Sequence, residues 1–468
     1  MSELPKGWVA TQIALIAKVE SGVGFPKKYQ GLDFVDIPVY KVGDISRSVQ
    51  NQEKSLVRSS NYVDEKTRIA MNAKIYPEGS TLFAKIGEAL KLNRRGFVGK
   101  EGIADNNVMG VIPDTQLISA KFIFYFLKTV DLSEFSRSST VPSIRKGDVE
   151  NLVLCLAPLA EQKRIVAKLD EVLAQVDTIK ARLDRIPAIL KRFRQSVLAA
   201  AVSGKLTEEW RGAADDFNSN NKLIPSSWEI RAAKDICVTV QSGSTPQNDP
   251  FNQNGTIPFL KVYNIVNQQI DFDYKPQFIT HETHSKKLKR SVAYPGDILM
   301  NIVGPPLGKV AILTEQYPEW NLNQAITLFR VNEDILLNRY LYFVLCEGEL
   351  VRAVMPETKG SVGQVNISLS QCRDSLIPLP PKEEQKEIVR LVDQYFAFAD
   401  TIEAQVKKAQ ARVDNLTQSI LAKAFRGELV AQDPNDEPAD KLLERIAKAR
   451  TEAEQLAKAA KKAVKSQR

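Results

Sequence analysis

The sequence predicts an α+β protein in which two mixed α/β units alternate with two long helices. Three observations lead to this fold class. One segment occurs twice without a gap, so that Glu161-Gln162-Lys163 corresponds to Glu384-Gln385-Lys386. Both copies carry a heptad pattern, which is typical of coiled coils. The rest of the chain holds short apolar runs separated by Gly, Pro, Asn and Asp, as in small sheets joined by turns.

The apolar residues of each copy recur at alternating steps of four and three. A mean step of about 3.5 residues is the period of a coiled-coil seam, whereas a helix on a globular core has a broader apolar stripe. We therefore predict that the two helices pair with each other within the chain. Two separate amphipathic helices, each on its own core, are the alternative. The predicted seam contains Ile165, Leu169, Val172, Val176, Ile179, Leu183, Ile388, Val392, Ile402, Val406, Val413 and Leu416.

The two mixed units repeat each other weakly but in the same order. Trp8 matches Trp228, and the run at 121–125 resembles the run at 339–343. A repeat of this kind predicts a duplicated, pseudo-two-fold architecture. The expected segments are a first mixed unit at 1–157, the first long helix at 158–211, a linker at 212–222, a second mixed unit at 223–379, the second long helix at 380–432 and a charged helical tail at 433–468.

Composition restricts the function only loosely. The 468 residues carry a net charge of +8, which permits an anionic partner such as DNA without demonstrating one. The four cysteines are isolated in the sequence, which gives no support to a disulfide framework or a zinc knuckle. No apolar run approaches the roughly 18 residues that span a bilayer, and the N-terminus lacks the apolar core of a signal peptide. These features predict a cytoplasmic protein.

Sequence motifs of catalysis are missing. The stretch at 304–309 has the wrong spacing for a phosphate-binding loop. Both histidines, His281 and His284, lie three residues apart without an obvious third metal ligand, so we expect solvated loop residues and no metal site. A chain of this size without a catalytic constellation is predicted to be a recognition or assembly component.

The two long helices carry the residues of a resemblance to a known family. Each begins with the pattern P-x-x-E-Q-K-x-I-V and continues through Asp-Thr-Ile, at 177–179 and 400–402. Each then passes Gln-Ser, at 195–196 and 418–419, and is followed by Gly and, two residues later, Leu. These features resemble the specificity subunits of type I restriction-modification enzymes, in particular their enteric subfamily. The resemblance is specific in the helices and loose in the mixed units.

The resemblance implies that each mixed unit is a target recognition domain that reads one half of a bipartite site on double-stranded DNA. The helices would form an antiparallel coiled coil that spaces the domains and docks two modification (methyltransferase) subunits. Two restriction (motor-nuclease) subunits would complete the enzyme. This chain would be non-catalytic and hold no cofactor, with S-adenosylmethionine, ATP and magnesium bound by the partner subunits. It would direct both adenine methylation and restriction.

Candidate DNA-contacting residues are basic and polar side chains on turns at equivalent places in the two units. Arg and Lys suit guanine edges and phosphates, and Asn and Gln suit adenine. The candidates are Lys41, Asp44, Lys85, Lys91, Arg94, Arg95, Ser139 and Arg145 in the first unit, and Lys261, Asn264, Lys286, Lys287, Lys289, Arg290, Asn301, Lys309, Gln364 and Asn366 in the second.

Two other functions stay open at this point. One is a stand-alone DNA-modifying enzyme, against which the missing motifs argue, and the other is a coiled-coil scaffold without a DNA role. The tail at 433–468 has two readings as well. It is rich in Ala, Lys, Glu and Arg, and we expect either a solvated helix or an arm that contacts a partner subunit or phosphate.

Overall fold

A computed structural model describes residues 4–30, 36–136, 141–212, 217–218, 224–246, 251, 255–354, 366–449 and 451–452. The chain divides into two compact units. The first unit comprises Met1–Leu183 with Lys408–Arg468, and the second comprises Asp184–Lys407. Two long helices, α7 (Leu159–Val202) and α13 (Lys382–Phe425), each contribute residues to both units.

The first unit contains small sheets and short helices. Its four-stranded antiparallel sheet has the order β2-β8-β5-β6, a second sheet has the order β4-β3-β7, and β1 pairs with β9. The strands are β1 (Val9–Gln12), β2 (Ala17–Ser21), β3 (Ile37–Tyr40), β4 (Tyr62–Val63), β5 (Thr81–Ala84), β6 (Gly96–Phe97), β7 (Ile103–Ala104), β8 (Val108–Pro113) and β9 (Val153–Leu156). The helices are α1 (Ile13–Ile16), α2 (Val42–Gln50), α3 (Glu65–Ala70), α4 (Glu88–Lys91), α5 (Ala120–Thr129) and α6 (Lys146–Glu150).

The second unit repeats the main features of this topology and has additional strands, among them the pairs β10-β11 and β15-β16. Its antiparallel sheet has the order β13-β22-β19-β20, a second sheet has the order β17-β14-β21-β18, and β12 pairs with β23. The strands are β10 (Phe217–Asn218), β11 (Ile224–Pro225), β12 (Glu229–Ala232), β13 (Cys237–Ser242), β14 (Ile257–Leu260), β15 (Ile265–Val266), β16 (Gln269–Ile270), β17 (Phe278–Ile279), β18 (Val292–Ala293), β19 (Ile298–Asn301), β20 (Val310–Ile312), β21 (Trp320–Leu322), β22 (Ile326–Val331) and β23 (Leu376–Leu379). The helices are α8 (Glu208–Arg211), α9 (Ala233–Ile236), α10 (Asn338–Glu347), α11 (Glu349–Val354) and α12 (Leu369–Arg373).

The long helices run antiparallel to each other, as the resemblance implied. In the first unit Lys180 of α7 forms an ion pair with Asp414 of α13, at 2.7 Å. In the second unit Arg194 forms one with Asp400, at 2.6 Å. The partner number falls as the α7 number rises, which only antiparallel helices allow. The α+β fold class with an intramolecular coiled coil is therefore confirmed.

Burial along the predicted seam is uneven. Ile165, Leu169, Ile388 and Val392 are fully buried, and Val176 and Val406 are nearly so. The half-buried seam residues are Val172, Leu183, Ile402 and Val413. Ile179 and Leu416, which were also predicted in the seam, are 45% and 47% exposed. The reason is that the ends of the helices pack into the hydrophobic cores of the units, and neither of these two residues belongs to such a core.

The first part of the C-terminal tail belongs to the first unit and packs on its core. Residues 439–449 are helical, and Leu442 and Ile446 join the first unit's core. The backbone N–H of Ala439 donates a 2.9 Å hydrogen bond to the carbonyl of Gly7. One face of this helix is therefore buried in the core, while its other face is exposed; the role of an arm that contacts a partner subunit or phosphate stays a prediction, and residues 450 and 453–468 lie outside the described part of the chain. Among the described helices, none is long and apolar enough to cross a membrane.

Candidate nucleic-acid interface

The start of α7 is joined to the first mixed unit, the strands and short helices before it, by buried hydrogen bonds. The indole Nε1–H of Trp8 donates to Glu161 Oε2 at 3.0 Å. The neighbouring Gln162 side chain accepts from the backbone N–H of Ser119, at 2.8 Å, and donates to two backbone carbonyls. Glu161 and Gln162 are almost completely buried. We call Trp8, Glu161 and Gln162 the first clamp, because they fix the sheet edge and the start of α5 to the long helix.

The start of α13 is joined to the second mixed unit, the strands and short helices before it, in the same way. Trp228 Nε1–H donates to Glu384 Oε2 at 2.9 Å. Gln385 accepts from the backbone N–H of Leu337, at 2.8 Å, and donates to the carbonyls of Ile335 and Pro380. We call Trp228, Glu384 and Gln385 the second clamp. The repeated Glu-Gln pair therefore has a structural role, which we did not predict, although each pair and each Trp occurs at a matching place in the two copies.

The two clamps differ at the second carboxylate oxygen. Glu384 Oε1 accepts from Thr207 Oγ1 at 2.7 Å and from the guanidinium of Arg211, whose side chain is 6% exposed. Glu161 Oε1 is buried without a hydrogen-bond partner among the described residues. Burial raises the pKa of Glu161, partly offset by the hydrogen bond from Trp8. The second clamp thus holds a buried ion pair, whereas the first holds a buried carboxyl group whose pKa is raised and which has no cationic partner on its second oxygen among the described residues.

The segment after each long helix packs on the beginning of one unit. Gly204 follows α7 with a φ of +79° and lies against Pro225, and Gly427 follows α13 with a φ of +73° and lies against Pro5. A side chain at either glycine would be strained by the positive φ and would overlap the proline. The glycine after each helix that marked the resemblance therefore allows a close turn onto the unit beside it.

A second pair of contacts holds each unit to its long helix. In the first unit, Lys121 Nζ and Tyr125 Oη both bond to Asp170 of α7 at 2.5 Å. In the second unit, Arg339 pairs with Asp393 of α13. Lys121 and Arg339 are the first residues of the two similar runs at 121–125 and 339–343.

Lys41 and Lys261 occupy equivalent positions and have equivalent surroundings. The ammonium of Lys41 lies 4.8 Å from the ring centre of Phe25, and that of Lys261 lies 4.6 Å from the ring centre of Phe251. Cation–π contacts of this kind restrict a lysine without neutralising its charge. Both side chains stay partly exposed, so both remain candidates for contact with an anionic ligand.

Asp44 and Asn264 are structural residues instead of candidate DNA readers. Asp44 is 4% exposed and accepts from the backbone N–H of Lys41 at 2.8 Å, at the start of α2. Asn264 is 1% exposed, accepts from the backbone N–H of Lys261 at 3.0 Å and donates to two carbonyls. Their hydrogen-bonding groups are used inside the fold, which corrects the prediction for both.

Arg95 and Asn301 need the same correction. The Arg95 guanidinium is buried and donates to the carbonyls of Leu127 and Val130 at the end of α5, and burial lowers its pKa to about 10. Asn301 is 1% exposed and bonds within the turn between β19 and β20, to Pro306 O and the backbone N–H of Lys309. Replacing Arg95 would therefore test stability, not DNA contact.

The remaining candidates have accessible side chains. Lys91, Arg145, Lys286, Lys287, Lys289, Arg290 and Asn366 are exposed, and Lys85, Arg94 and Lys309 are partly exposed. Two of them form surface ion pairs, Lys91 with Glu88 at 2.8 Å and Lys286 with Glu282 at 3.2 Å. Ser139 and Gln364 lie outside the described residues. We call Lys286, Lys287, Lys289 and Arg290 the basic cluster; it lies on and just after a π-helical turn, Thr283–Lys287, of the second unit.

His284 is not a solvated loop residue. It is 4% exposed, with Nε2 3.1 Å from Glu319 Oε2 and Nδ1 3.0 Å from Asn321 Nδ2. Both ring nitrogens are thus used in the core of the second unit. Among the described residues, no group of His, Cys, Asp and Glu side chains could hold a metal ion.

Comparison with known proteins places this arrangement in a family. The model of the type I restriction modification DNA specificity domain matches residues 5–188 and, a second time, residues 225–410. The chain belongs to this family. The two family domains thus include the two clamps and all of the described candidate residues.

Named members of the family are similar over nearly the whole chain. The specificity subunit of the type I restriction enzyme EcoKI from Escherichia coli (strain K12) is 32% identical over 449 residues, which is 92% of this chain and 91% of the relative. The specificity subunit of StySPI from Salmonella potsdam is 31% identical over 451 residues, with the same two shares.

Two solved structures have the same fold. One belongs to a structural study of complex assembly and conformational transition of the type I R-M system; it has a TM-score of 0.67 at 20% identity, over 92% of this chain and 100% of that chain. The other is the HsdS subunit from Thermoanaerobacter tengcongensis, with a TM-score of 0.55 at 21% identity, over 91% of this chain and 98% of that chain.

The difference between the clamps predicts unequal effects of one substitution. Glu384→Gln should lower the free energy of unfolding by about 3–5 kcal/mol, because it leaves the buried Arg211 guanidinium without its carboxylate. Glu161→Gln should cost about 1 kcal/mol, because a neutral amide still accepts from Trp8. Urea-induced unfolding of the full chain measures both, and equal costs would contradict the role of Arg211.

Because the pKa of Glu161 is raised by folding from its ordinary 4.5, the wild type should lose stability relative to Glu161→Gln as the pH rises above that value.

Proposed function

We propose that this chain is the DNA-recognition subunit of a type I restriction-modification complex. The first unit reads one half of a bipartite target on double-stranded DNA and the second unit reads the other half. The coiled coil sets the spacing and docks the modification subunits, so one recognition event directs both adenine methylation and restriction. The observation that carries this proposal is that the family domain occurs twice, each time with a clamp that fixes a mixed unit to a long helix.

The accessible candidate residues support the proposal that the two units recognise different DNA sequences. Lys41 and Lys261 are equivalent and similarly stacked, which suits a shared contact with the phosphate backbone. The basic cluster has a smaller counterpart: helix α3 follows β4 as the cluster follows β17, and it carries two basic residues, Lys66 and Arg68, in place of four. Units that share a fold and differ in surface side chains suit half-sites of different sequence.

Catalysis in this proposal belongs to partner subunits. Two modification subunits supply S-adenosylmethionine and methyl transfer, and two restriction subunits supply ATP- and magnesium-dependent movement and cleavage. This chain contributes recognition and spacing in the cytoplasm. Two buried side chains act in folding: Glu384 forms an ion pair with Arg211, and His284 is held by Glu319 and Asn321.

Methylation mapping tests the proposal directly. Co-expression of this chain with its modification subunits should produce methylated adenines in one split sequence motif, with unread base pairs between the halves. Single-molecule sequencing of the host genome measures this pattern. Methylation by this chain alone would favour a stand-alone enzyme, and an assembled complex without any methylated motif would favour a scaffold.

The basic cluster should contribute affinity and no sequence information. Replacing Lys286, Lys287, Lys289 and Arg290 by Ala should weaken DNA binding by the complex with the modification subunits. It should also reduce the slope of log affinity against log salt by about 0.9 for each phosphate that the variant no longer neutralises. The methylated motif should stay the same, because phosphate contacts position a protein without reading bases.

A matched control removes the same charge from the first unit. Lys423, Lys441, Arg445 and Lys448 are exposed on α13 and the C-terminal helix, and their replacement by Ala should leave the salt slope unchanged. An equal reduction of the slope in both variants would show that net charge, and not the basic cluster, is responsible.

A further inference from the structure

The segment that follows Lys41 begins in the same way as the segment that follows Lys261. Each lysine comes directly after an equivalent strand, β3 or β14. Its backbone N–H donates to the side chain three residues later. The next residue, Ile45 or Ile265, is buried in the core of its unit. The two segments therefore start at equivalent places in the fold, from the same anchored turn.

Beyond this turn the two segments differ. In the first unit the chain continues as α2, a helix of nine residues with a length of about 13 Å. In the second unit it forms the hairpin β15–β16, in which Ile265 pairs with Ile270 and Val266 pairs with Gln269. The major groove of B-DNA, which is about 12 Å wide, admits either an α-helix or a two-stranded ribbon. Each unit thus presents an element of suitable size at the same place.

The tip of the hairpin is held rigidly. Asn267 and Gln268 have φ values of +50° and +62°, in the left-handed region that a two-residue hairpin turn requires and that glutamine rarely adopts. The Gln268 side chain accepts from the backbone N–H of Val310 at 2.6 Å, and the Gln268 carbonyl accepts from the Tyr342 hydroxyl at 3.1 Å. Because these bonds fix the turn, the adjacent side chains of Asn267 and Gln269 project from a rigid element.

Asn267 and Gln269 carry the amide groups of this tip. Both residues are exposed, and neither side chain has a hydrogen-bond partner among the described residues. A carboxamide donates and accepts at once, which matches the N7 acceptor and the N6 amino group of adenine in the major groove. Two partly exposed lysines adjoin the hairpin, Lys261 through the sequence and Lys309 through its neighbour Val310. The hairpin therefore combines unpaired amides with nearby positive charge.

Helix α2 carries an arginine instead. The Arg47 side chain is 57% exposed. Its Nη2 donates to the buried carboxylate of Asp44 and, at 2.5 Å, to Ser60 Oγ. Its Nε and Nη1 have no partner in the part of the chain that the structure describes. A guanidinium oriented in this way keeps donors for the O6 and N7 acceptors of guanine, which arginine contacts more often than any other base edge.

We propose that the segment after the equivalent lysine is the base-reading element of each unit. Helix α2 reads guanine through Arg47 in one half-site, and the hairpin reads adenine through Asn267 and Gln269 in the other. Lys41 and Lys261 contact the phosphate backbone beside them. This inference rests on the proposed function, which supplies the DNA. The exchange of a helix for a hairpin on one anchored turn then gives the two units different target bases.

Three single substitutions test this assignment. Arg47→Ala leaves Asp44 bonded to the backbone N–H of Lys41, and Asn267→Gly keeps the positive φ without strain, so we expect both variants to fold. In the complex with the modification subunits, Arg47→Ala should lower discrimination against a replaced guanine about tenfold or more in one half-site. Asn267→Gly and Gln269→Ala should each do the same for a replaced adenine in the other half-site. Single-molecule sequencing of methylated adenines and competition between short duplexes measure these changes.

Matched controls remove the same kinds of side chain elsewhere. Arg445→Ala removes an exposed arginine, paired with Glu437, from the C-terminal helix of the first unit. Gln316→Ala removes an exposed glutamine between β20 and β21 of the second unit. Both controls should leave the methylated motif and the discrimination between duplexes unchanged.

An unchanged motif in all three variants would overturn the proposal, whatever their melting temperatures, because the replaced side chains would then read no base. Equal weakening of binding to every duplex would also overturn it, since that is the behaviour of phosphate contacts. Relaxed reading of the same half-site by Arg47→Ala and Asn267→Gly would contradict the assignment of one element to each unit. A wild-type complex that methylates no split motif would instead contradict the proposed function itself, and the assignment with it.

Discussion

The structure depends on one repeated interaction, the buried contact between a tryptophan near the start of each mixed unit and the glutamate that begins a long helix. Trp8 and Glu161 form it in the first unit, and Trp228 and Glu384 in the second. The adjacent glutamine ties the same helix turn to backbone groups before α5 or α10. Because buried polar groups must find partners, these side chains allow little variation in how a unit sits on its helix. The exposed side chains of a recognition domain can then differ while the position of the domain on its helix stays the same.

The two copies of the repeat are similar but not identical. They differ where each mixed unit contacts a long helix or the segment that follows one. Arg211 completes the second clamp, whereas Glu161 keeps one oxygen without a partner among the described residues. The first unit is completed by Phe425 and by the C-terminal helix, while the second has an apolar pocket beside the end of α7. Duplication of a chain thus yields two units with the same topology and distinct surfaces, which suits a protein that reads two different half-sites.

The sequence predicted the elements with strong periodicity and the family, whereas four of its candidate DNA-contacting residues, Asp44, Asn264, Arg95 and Asn301, are buried and hydrogen-bonded within the fold. Heptads are visible along the chain, because each seam residue is three or four positions from the next. Asp44 and Arg95 were assigned to DNA because a polar side chain in a turn has the same appearance whether it binds a ligand or caps the backbone. Deciding between these roles requires the positions of the carbonyls and N–H groups nearby, which come from distant parts of the chain. The matched Trp and Glu-Gln positions were visible as a repeat, but their hydrogen bond spans more than 150 residues and only the fold brings them together.

The Trp–Glu contact links each unit to its helix, and a double-mutant cycle tests this role most directly. Trp228→Phe, Glu384→Asp and the double variant should be compared by urea-induced unfolding of the full chain. Phe removes the indole donor, and Asp shortens the acceptor while retaining its charge. We expect a coupling free energy of about 0.5–3 kcal/mol between the two positions, as for other directly bonded residues. Additive effects would show that the two side chains are merely buried near each other and would contradict the linking role of the contact.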